Sequence, residues 1–300
     1  MSLLDRRLLV VTGKGGVGKT TVSAALAELA ASRGKRVLVC EVNTQERISG
    51  LFGARPVGTE IRPIARNVDA VVVRPRESMR QYGLQKLKYR PLYAAVFENR
   101  LVSRFLRFIP SLPELVMLGK VLHHVREAKW DLVVVDAPAT GHGITFLRVP
   151  RLLVETLPPG PMRSDGEWMQ ALLVDPAVTA VNLVALPEEL PVNETLELAA
   201  AVDDPLRMPR GKVFLNRYLE RLFSDGERAS LQGVSGPPLF EAVARAASIQ
   251  ASRADRSAFF RERLERELDW SLLPLPFLHQ DEEFGRSAIT TLARAIGEGL

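Results

Sequence analysis

Gly13-Lys14-Gly15-Gly16-Val17-Gly18-Lys19-Thr20-Thr21 decides how the rest of this chain is read. Its first eight residues satisfy GxxxxGK[ST], and the flanks are those the pattern needs. Leu8 to Thr12 is a short apolar run that reads as a strand. From Thr20 to Ser32, Val22, Ala25, Leu26, Leu29 and Ala30 recur at helical spacing until Gly34 stops the pattern. Glycines between a strand and a helix let successive backbone amides point inward, and the helix N-terminus adds partial positive charge for an anion. Lys19 is placed to reach the β- and γ-phosphates of a nucleotide, and Thr20 to offer a hydroxyl to Mg²⁺. A carboxylate must then come from a neighbouring strand end, and Asp136, closing Leu132-Val133-Val134-Val135-Asp136, fits. ATP or ADP with Mg²⁺ is the expected ligand, with Thr20 and Asp136 as the metal residues.

Val37 to Glu41 reads as the next buried strand, so strand, helix and strand form a βαβ unit and imply a parallel sheet with right-handed crossovers. Ala70–Val73, Leu132–Asp136, Val181–Leu186, Lys212–Asn216 and Leu272–Leu275 are further strand candidates. Their unbroken Val and Leu content fits strands covered on both faces. The fold class is therefore α/β: a P-loop NTPase with a mostly parallel sheet and helices on both faces. Residues 1–300 are read as one domain carrying a helical insertion at 77–127, where Leu84, Leu87, Leu92, Val96, Phe97, Leu101 and Phe105 crowd a proline-broken region. That density reads as core or dimer contact before it reads as an exposed groove. Leu157 to Gly166 reads as a flexible, turn-rich stretch. Phe284 to Leu300 carries Ile289, Leu292, Ala293 and Ile296 at helical spacing and reads as a closing core helix rather than a membrane anchor.

The net charge of +5 raises nucleic acid as a partner, but the basic residues are scattered among acids. Arg261 stands four residues before Glu265 and Arg263 four before Glu267, the spacing of pairs on a solvated helix face, so no nucleic acid is expected. Cys40 is the single cysteine, which excludes a disulfide framework and a CxxC metal site built from one chain. No stretch reaches the roughly 18 apolar residues of a membrane span, and the N-terminus has no apolar signal core, so a cytoplasmic protein without stable membrane insertion is expected.

Lys14, directly after the first glycine, resembles the deviant Walker A motif of the ParA, MinD and arsenical-pump ATPase group. The resemblance implies that this lysine reaches across a dimer to the partner's nucleotide. Asp136-Ala137-Pro138-Ala139-Thr140-Gly141-His142 resembles the switch II motif of one branch, the arsenical-pump and tail-anchored-protein-targeting ATPase (ArsA-like) family. Leu186-Pro187-Glu188 with Glu194-Thr195 resembles a later segment of that family. Asn216-Arg217 matches the place where an asparagine amide meets adenine, and Pro274 and Pro276 match the loop beside the base. The likeness runs from Leu8 to about Phe277 and is closest to bacterial members lacking metal cysteines. An amide offers adenine both a donor and an acceptor, although Asn216 also suits a strand-end turn.

Two departures limit what is carried over. Cys40 lies inside a strand, so neither a cysteine cluster for arsenite nor a zinc clamp between subunits is available in the family's manner. The family's switch I aspartate, which orients the attacking water, is replaced by Asn43 within Glu41-Val42-Asn43-Thr44-Gln45-Glu46. Asn43 can orient water but cannot accept a proton, so slow turnover is expected. The expected function is an ATP-switched dimeric ATPase, homomeric or paired with a paralogue, that captures or regulates an apolar client or partner protein. A ParA/MinD-like positioning ATPase and a non-catalytic ATP-binding subunit are the alternatives, the second kept alive by Asn43.

Overall fold

Leu8–Gly13 (β1) is buried at every position and sends Leu8 and Val10 into one apolar core and Leu9 and Val11 into another. A strand alternates its side chains between faces, so a sheet clothed by helices on both sides requires apolar residues throughout. The computed structural model describes residues 2–80, 111–138, 140–231, 236–279 and 284–300, with the side chains of 140–142, 225 and 231 excepted. Among these residues one eight-stranded sheet runs β3-β4-β2-β5-β1-β6-β7-β8. The other strands are β2 (Val37–Val42), β3 (Arg62–Ala65), β4 (Val68–Val73), β5 (Leu132–Asp136), β6 (Thr179–Ala185), β7 (Arg210–Tyr218) and β8 (Ser271–Pro276). All neighbours are parallel except β3 against β4 at one edge. The α/β class and the parallel sheet are as the sequence implies. The missed strand, β3, has exposed Arg62 and Pro63 and only Ile64 buried, so it carries little apolar pattern.

One face of the sheet holds the helix Lys19–Ser32, the short Ile48–Leu51 and the C-terminal Arg286–Glu298. The last buries Ala288, Ile289, Leu292, Ala293 and Ile296, so its apolar stripe is spent in the core. The opposite face is covered by the helices Leu112–Glu127, Thr140–Thr156, Pro161–Val174 and Glu189–Asp203. Of the apolar region expected to form a helical insertion, residues 81–110 lie outside the described residues. Leu112, Leu115, Val116 and Leu118 are buried against the sheet.

The stretch Leu157–Gly166 differs from its reading. The helix Pro161–Val174 begins inside it, because proline at a first helical turn loses no hydrogen bond and its fixed φ suits the helix. Gly166 there faces Thr140–Thr156 closely enough that a Cβ would stand 2.9 Å from the Pro150 carbonyl oxygen. It is a packing glycine, not a turn residue. On the long helix Pro238–Glu267, Arg261–Glu265 and Arg263–Glu267 pair at 2.8 and 3.1 Å, as their spacing implies. No helix among the described residues is long and apolar enough to cross a membrane.

Candidate functional site

In open parallel sheets ligands gather beyond the carboxyl ends of the strands. Here those ends bring Gly13 (β1), Glu41 (β2) and Asp136 (β5) together, since β5 lies between β1 and β2 with Val11 and Glu41 both in register with Asp136. The chain leaves β1 at Gly13, where a Cβ would stand 2.4 Å from the Val184 carbonyl oxygen of β6, so only glycine lets the loop depart. Gly18, at φ +98°, caps the following helix in the left-handed region, and a Cβ there would meet Asn216 Nδ2 at 2.2 Å. Gly15 and Gly16 are exposed and Val17 is buried, which pins the loop at its middle.

Lys19 Nζ donates to the carbonyl oxygen of Lys14 at 2.9 Å and so bridges the loop's two ends. Burial lowers its pKa, and the negative charge of Asp136 partly opposes that shift. Thr20 Oγ1 donates to Asp136 Oδ2 at 2.6 Å. Asp136 is 3% exposed, and its Oδ1 is buried with no hydrogen-bond partner. Burial pushes its pKa up to about 6, against the hydrogen bond from Thr20 and the charges of Lys19 and Arg47. A desolvated carboxylate with one free oxygen beside a hydroxyl is a donor set that suits a small hard cation, so the residues present fit Mg²⁺. Thr21 continues the helix with partial exposure.

Lys14 Nζ forms an ion pair with Glu194 Oε1 at 2.9 Å, each side chain one-quarter exposed. Glu194 belongs to the helix Glu189–Asp203, which follows β6, so a segment 180 residues later closes on the loop. Sequence reading placed Glu194 in a resembling segment without giving it a partner; spacing along the chain carries no signal for that contact.

Asn216, near the end of β7, is 6% exposed and donates from Nδ2 to the Val17 carbonyl oxygen at 2.9 Å. Its Oδ1 accepts the backbone N–H of Arg217 at 3.0 Å, where the chain turns at φ +56°. Asn216 thus forms a strand-end turn, and its amide ties that turn to the phosphate loop. Pro276 ends β8 in register with Tyr218, and the N–H of Phe277 donates to the Tyr218 carbonyl oxygen at 2.8 Å, which sets Pro276 beside the Asn216-Arg217 turn.

Asn43 follows β2 with φ +49°, exposed, its N–H donating to the Val73 carbonyl oxygen at 2.9 Å. The acids on either side are fixed. Glu41 Oε1 accepts the N–H groups of Arg47 and Ile48 at 2.8 and 3.2 Å. Glu46 accepts from Ser49 Oγ at 2.6 Å and from the N–H groups of Val57 and Gly58 at 2.5 and 3.0 Å. Burial opposes ionisation of Glu46, but those hydrogen bonds outweigh it and hold its carboxyl below the usual range. The Glu46 carboxylate thus staples its segment to 57–58. In the resembling switch II stretch Ala139 and the side chains of Thr140 and His142 lie outside the described residues. Gly143 is described, and a Cβ there would stand 2.8 Å from Thr12 Oγ1 and 2.9 Å from the Pro138 carbonyl oxygen, so the helix lies directly on β1.

Residues 6–158 match the sequence model of the family described as anion-transporting ATPase. ATPase BagA of Mycobacterium tuberculosis is 31% identical over 231 residues, covering 71% of this chain and 65% of that relative. An ATPase ASNA1 homolog of Entamoeba histolytica is 26% identical over 250 residues, covering 70% and 75%. A putative arsenical pump-driving ATPase of Halobacterium salinarum is 27% identical over 244 residues, covering 74% and 37%. The chain thus spans less than two-thirds of the mycobacterial relatives it matches. The matched residues include the whole phosphate loop, Asn43 and Asp136, and on that footing the chain belongs to the anion-transporting ATPase family.

Proposed function

We propose that this protein is an ATP-switched ATPase that binds Mg-ATP on Gly13 to Thr21, turns it over slowly and works as a dimer on an apolar client or partner protein. The observation that carries the reading is the Thr20–Asp136 contact of 2.6 Å at the mouth of a phosphate loop closed by Lys19. Amides of the loop and the Lys19 ammonium bind the phosphates, and Lys19 exchanges the Lys14 carbonyl for a phosphate oxygen when it does so. Thr20 and Asp136 hold Mg²⁺, which when bound neutralises charge developing on the transferred phosphoryl group. Asn216, Arg217 and Pro276 form the adenine end.

Asn43 orients the attacking water without taking its proton, which makes turnover slow. Lys14 leaves Glu194 to reach the partner subunit's phosphates, so ATP contributes to association in proportion to the difference in affinity between closed and open states. Leu239, Phe240, Val243 and Ile249, exposed on the helix Pro238–Glu267, supply apolar surface consistent with an apolar partner. A cytoplasmic location fits this reading. A non-catalytic ATP-binding subunit is the second reading, and the exposed amide of Asn43 favours it over a positioning ATPase.

Steady-state phosphate release and sedimentation with ATP test the proposal together. Wild type is expected to hydrolyse slowly and to associate with ATP; Lys14→Ala is expected to lose association, and Asn43→Asp to turn over faster. Absence of release in both wild type and Asn43→Asp would favour the non-catalytic reading. Unchanged association and turnover in Lys14→Ala would remove the role across the dimer.

A further inference from the structure

Glu41 is completely buried, and a buried acid needs a reason. Along β2, Val37 and Val39 pack in the core beneath the helix Lys19–Ser32, while Leu38, Cys40 and Val42 pack on the opposite side. Alternation therefore directs Glu41 to the face of that helix. On β5, Leu132 and Val134 join the same core and Val133 and Val135 the other, so Asp136 points the same way, as its bond to Thr20 confirms. Glu41 and Asp136 stand in register on adjacent parallel strands. Two buried carboxylates thus share one side of the sheet at the phosphate-loop end, and each has one oxygen, Glu41 Oε2 and Asp136 Oδ1, buried with no hydrogen-bond partner.

The other oxygen of Glu41 already has a task, because Oε1 holds the N–H groups of Arg47 and Ile48 and so fixes the loop that carries Asn43. A glutamine carbonyl can accept the same two N–H groups, so the clamp alone does not require an acid. What the clamp leaves unexplained is the acid, with its second, unpartnered oxygen beside another acid. A neighbouring divalent cation removes that conflict, since it attracts both carboxylates at once.

We propose that Glu41 is a positioning residue of the Mg²⁺ site, a second carboxylate that acts on the cation's outer shell and couples it to the loop carrying Asn43. The inference rests on the reading that Thr20 and Asp136 hold the cation. Mg²⁺ keeps several of its waters when protein-bound, and those waters need acceptors. Loss of such outer-shell partners typically weakens metal binding by about 10- to 100-fold.

The test is Mn²⁺ binding in the presence of ADP, read by electron paramagnetic resonance on wild type, Glu41→Gln, Glu41→Asp and Asp136→Asn, with metal-free ADP affinity and thermal melting measured beside it. Glu41→Gln keeps a carbonyl for the clamp and removes the charge; Glu41→Asp keeps the charge and shortens the clamp. Expected is a loss of Mn²⁺ affinity of about 10-fold or more in Glu41→Gln, with metal-free ADP binding retained, and a much smaller loss in Glu41→Asp. Wild-type Mn²⁺ affinity in Glu41→Gln, with affinity lost in Asp136→Asn, would overturn the role of Glu41 and leave the metal site standing. Equal losses in Glu41→Gln and Glu41→Asp would overturn it too, because the clamp geometry alone would then account for both. Unchanged affinity in Asp136→Asn would remove the underlying metal-site reading instead.

Discussion

Asp136→Asn is expected to stabilise the nucleotide- and metal-free protein while destroying its metal site. An unfolded aspartate ionises near 3.8, whereas burial raises Asp136 in the folded protein to about 6. The folded state therefore binds its proton more tightly than the unfolded state does. The favourable contribution is full below 3.8, and it is lost as pH rises through about 6. Above that the ionised carboxylate costs the fold about 3 kcal/mol, at 1.36 kcal/mol for each pH step between the two values. Asparagine carries no charge and keeps an oxygen to accept the Thr20 hydroxyl, so it recovers most of this at pH 8 and only part of it at pH 5. Urea unfolding of the two proteins at both pH values, without Mg²⁺ or nucleotide, measures the difference directly. Burial lowers the pKa of His124 and gives it the opposite pH dependence below its ordinary value, but it is common to both proteins and cancels. An Asp136→Asn protein no more stable than wild type at pH 8 would refute the argument, because the carboxylate would then not be desolvated in the folded state.

Glu194→Gln removes the charge that holds Lys14 within its own subunit. The pair is one-quarter exposed at each end, so it is worth about 0.5–1 kcal/mol, and sedimentation with ATP is expected to show association tightened by roughly two- to five-fold per lysine released. Weaker association would mean that Glu194 belongs to the closed dimer instead. Gly18→Ala places a Cβ 2.2 Å from Asn216 Nδ2 at φ +98°, costing roughly 2–3 kcal/mol from the left-handed backbone and the displaced Asn216–Val17 hydrogen bond. Chemical denaturation is expected to show that loss, together with weaker ADP binding; an unchanged midpoint would show that the loop relaxes freely.

The sequence made the centre of this molecule legible and its margins less so. Strands such as Val37–Val42 and Leu132–Asp136 are buried along their whole length and apolar except for Glu41 and Asp136 at the phosphate-loop end, because both faces are covered, and that run is visible without any contact map. The phosphate loop was legible for a related reason: its chemistry is backbone chemistry, and only glycines between a strand and a helix provide it. Four features were not. The edge strand Arg62–Ala65 carries one buried side chain and so leaves no period to read. The helix Pro161–Val174 starts with residues that also make turns, and whether proline opens a helix or a loop depends on what packs on Gly166. The Lys14–Glu194 pair and the facing of Glu41 and Asp136 are products of strand order, since β5 inserts between β1 and β2 and β6 follows on the other side of β1. Strand order is a long-range property, and local pattern does not contain it.

Calorimetric titration of Mg-ADP and Mg-ATP into wild type and Lys19→Ala tests the central claim most directly. Lys19 closes the phosphate loop through the Lys14 carbonyl in the free protein and is placed to exchange that bond for a phosphate oxygen. Loss of a charge-assisted contact of this kind costs about 1.5–3 kcal/mol, so Lys19→Ala is expected to bind at least ten-fold more weakly while melting like a folded protein. Equal affinity in the two proteins, or no binding of either nucleotide by wild type, would contradict the account.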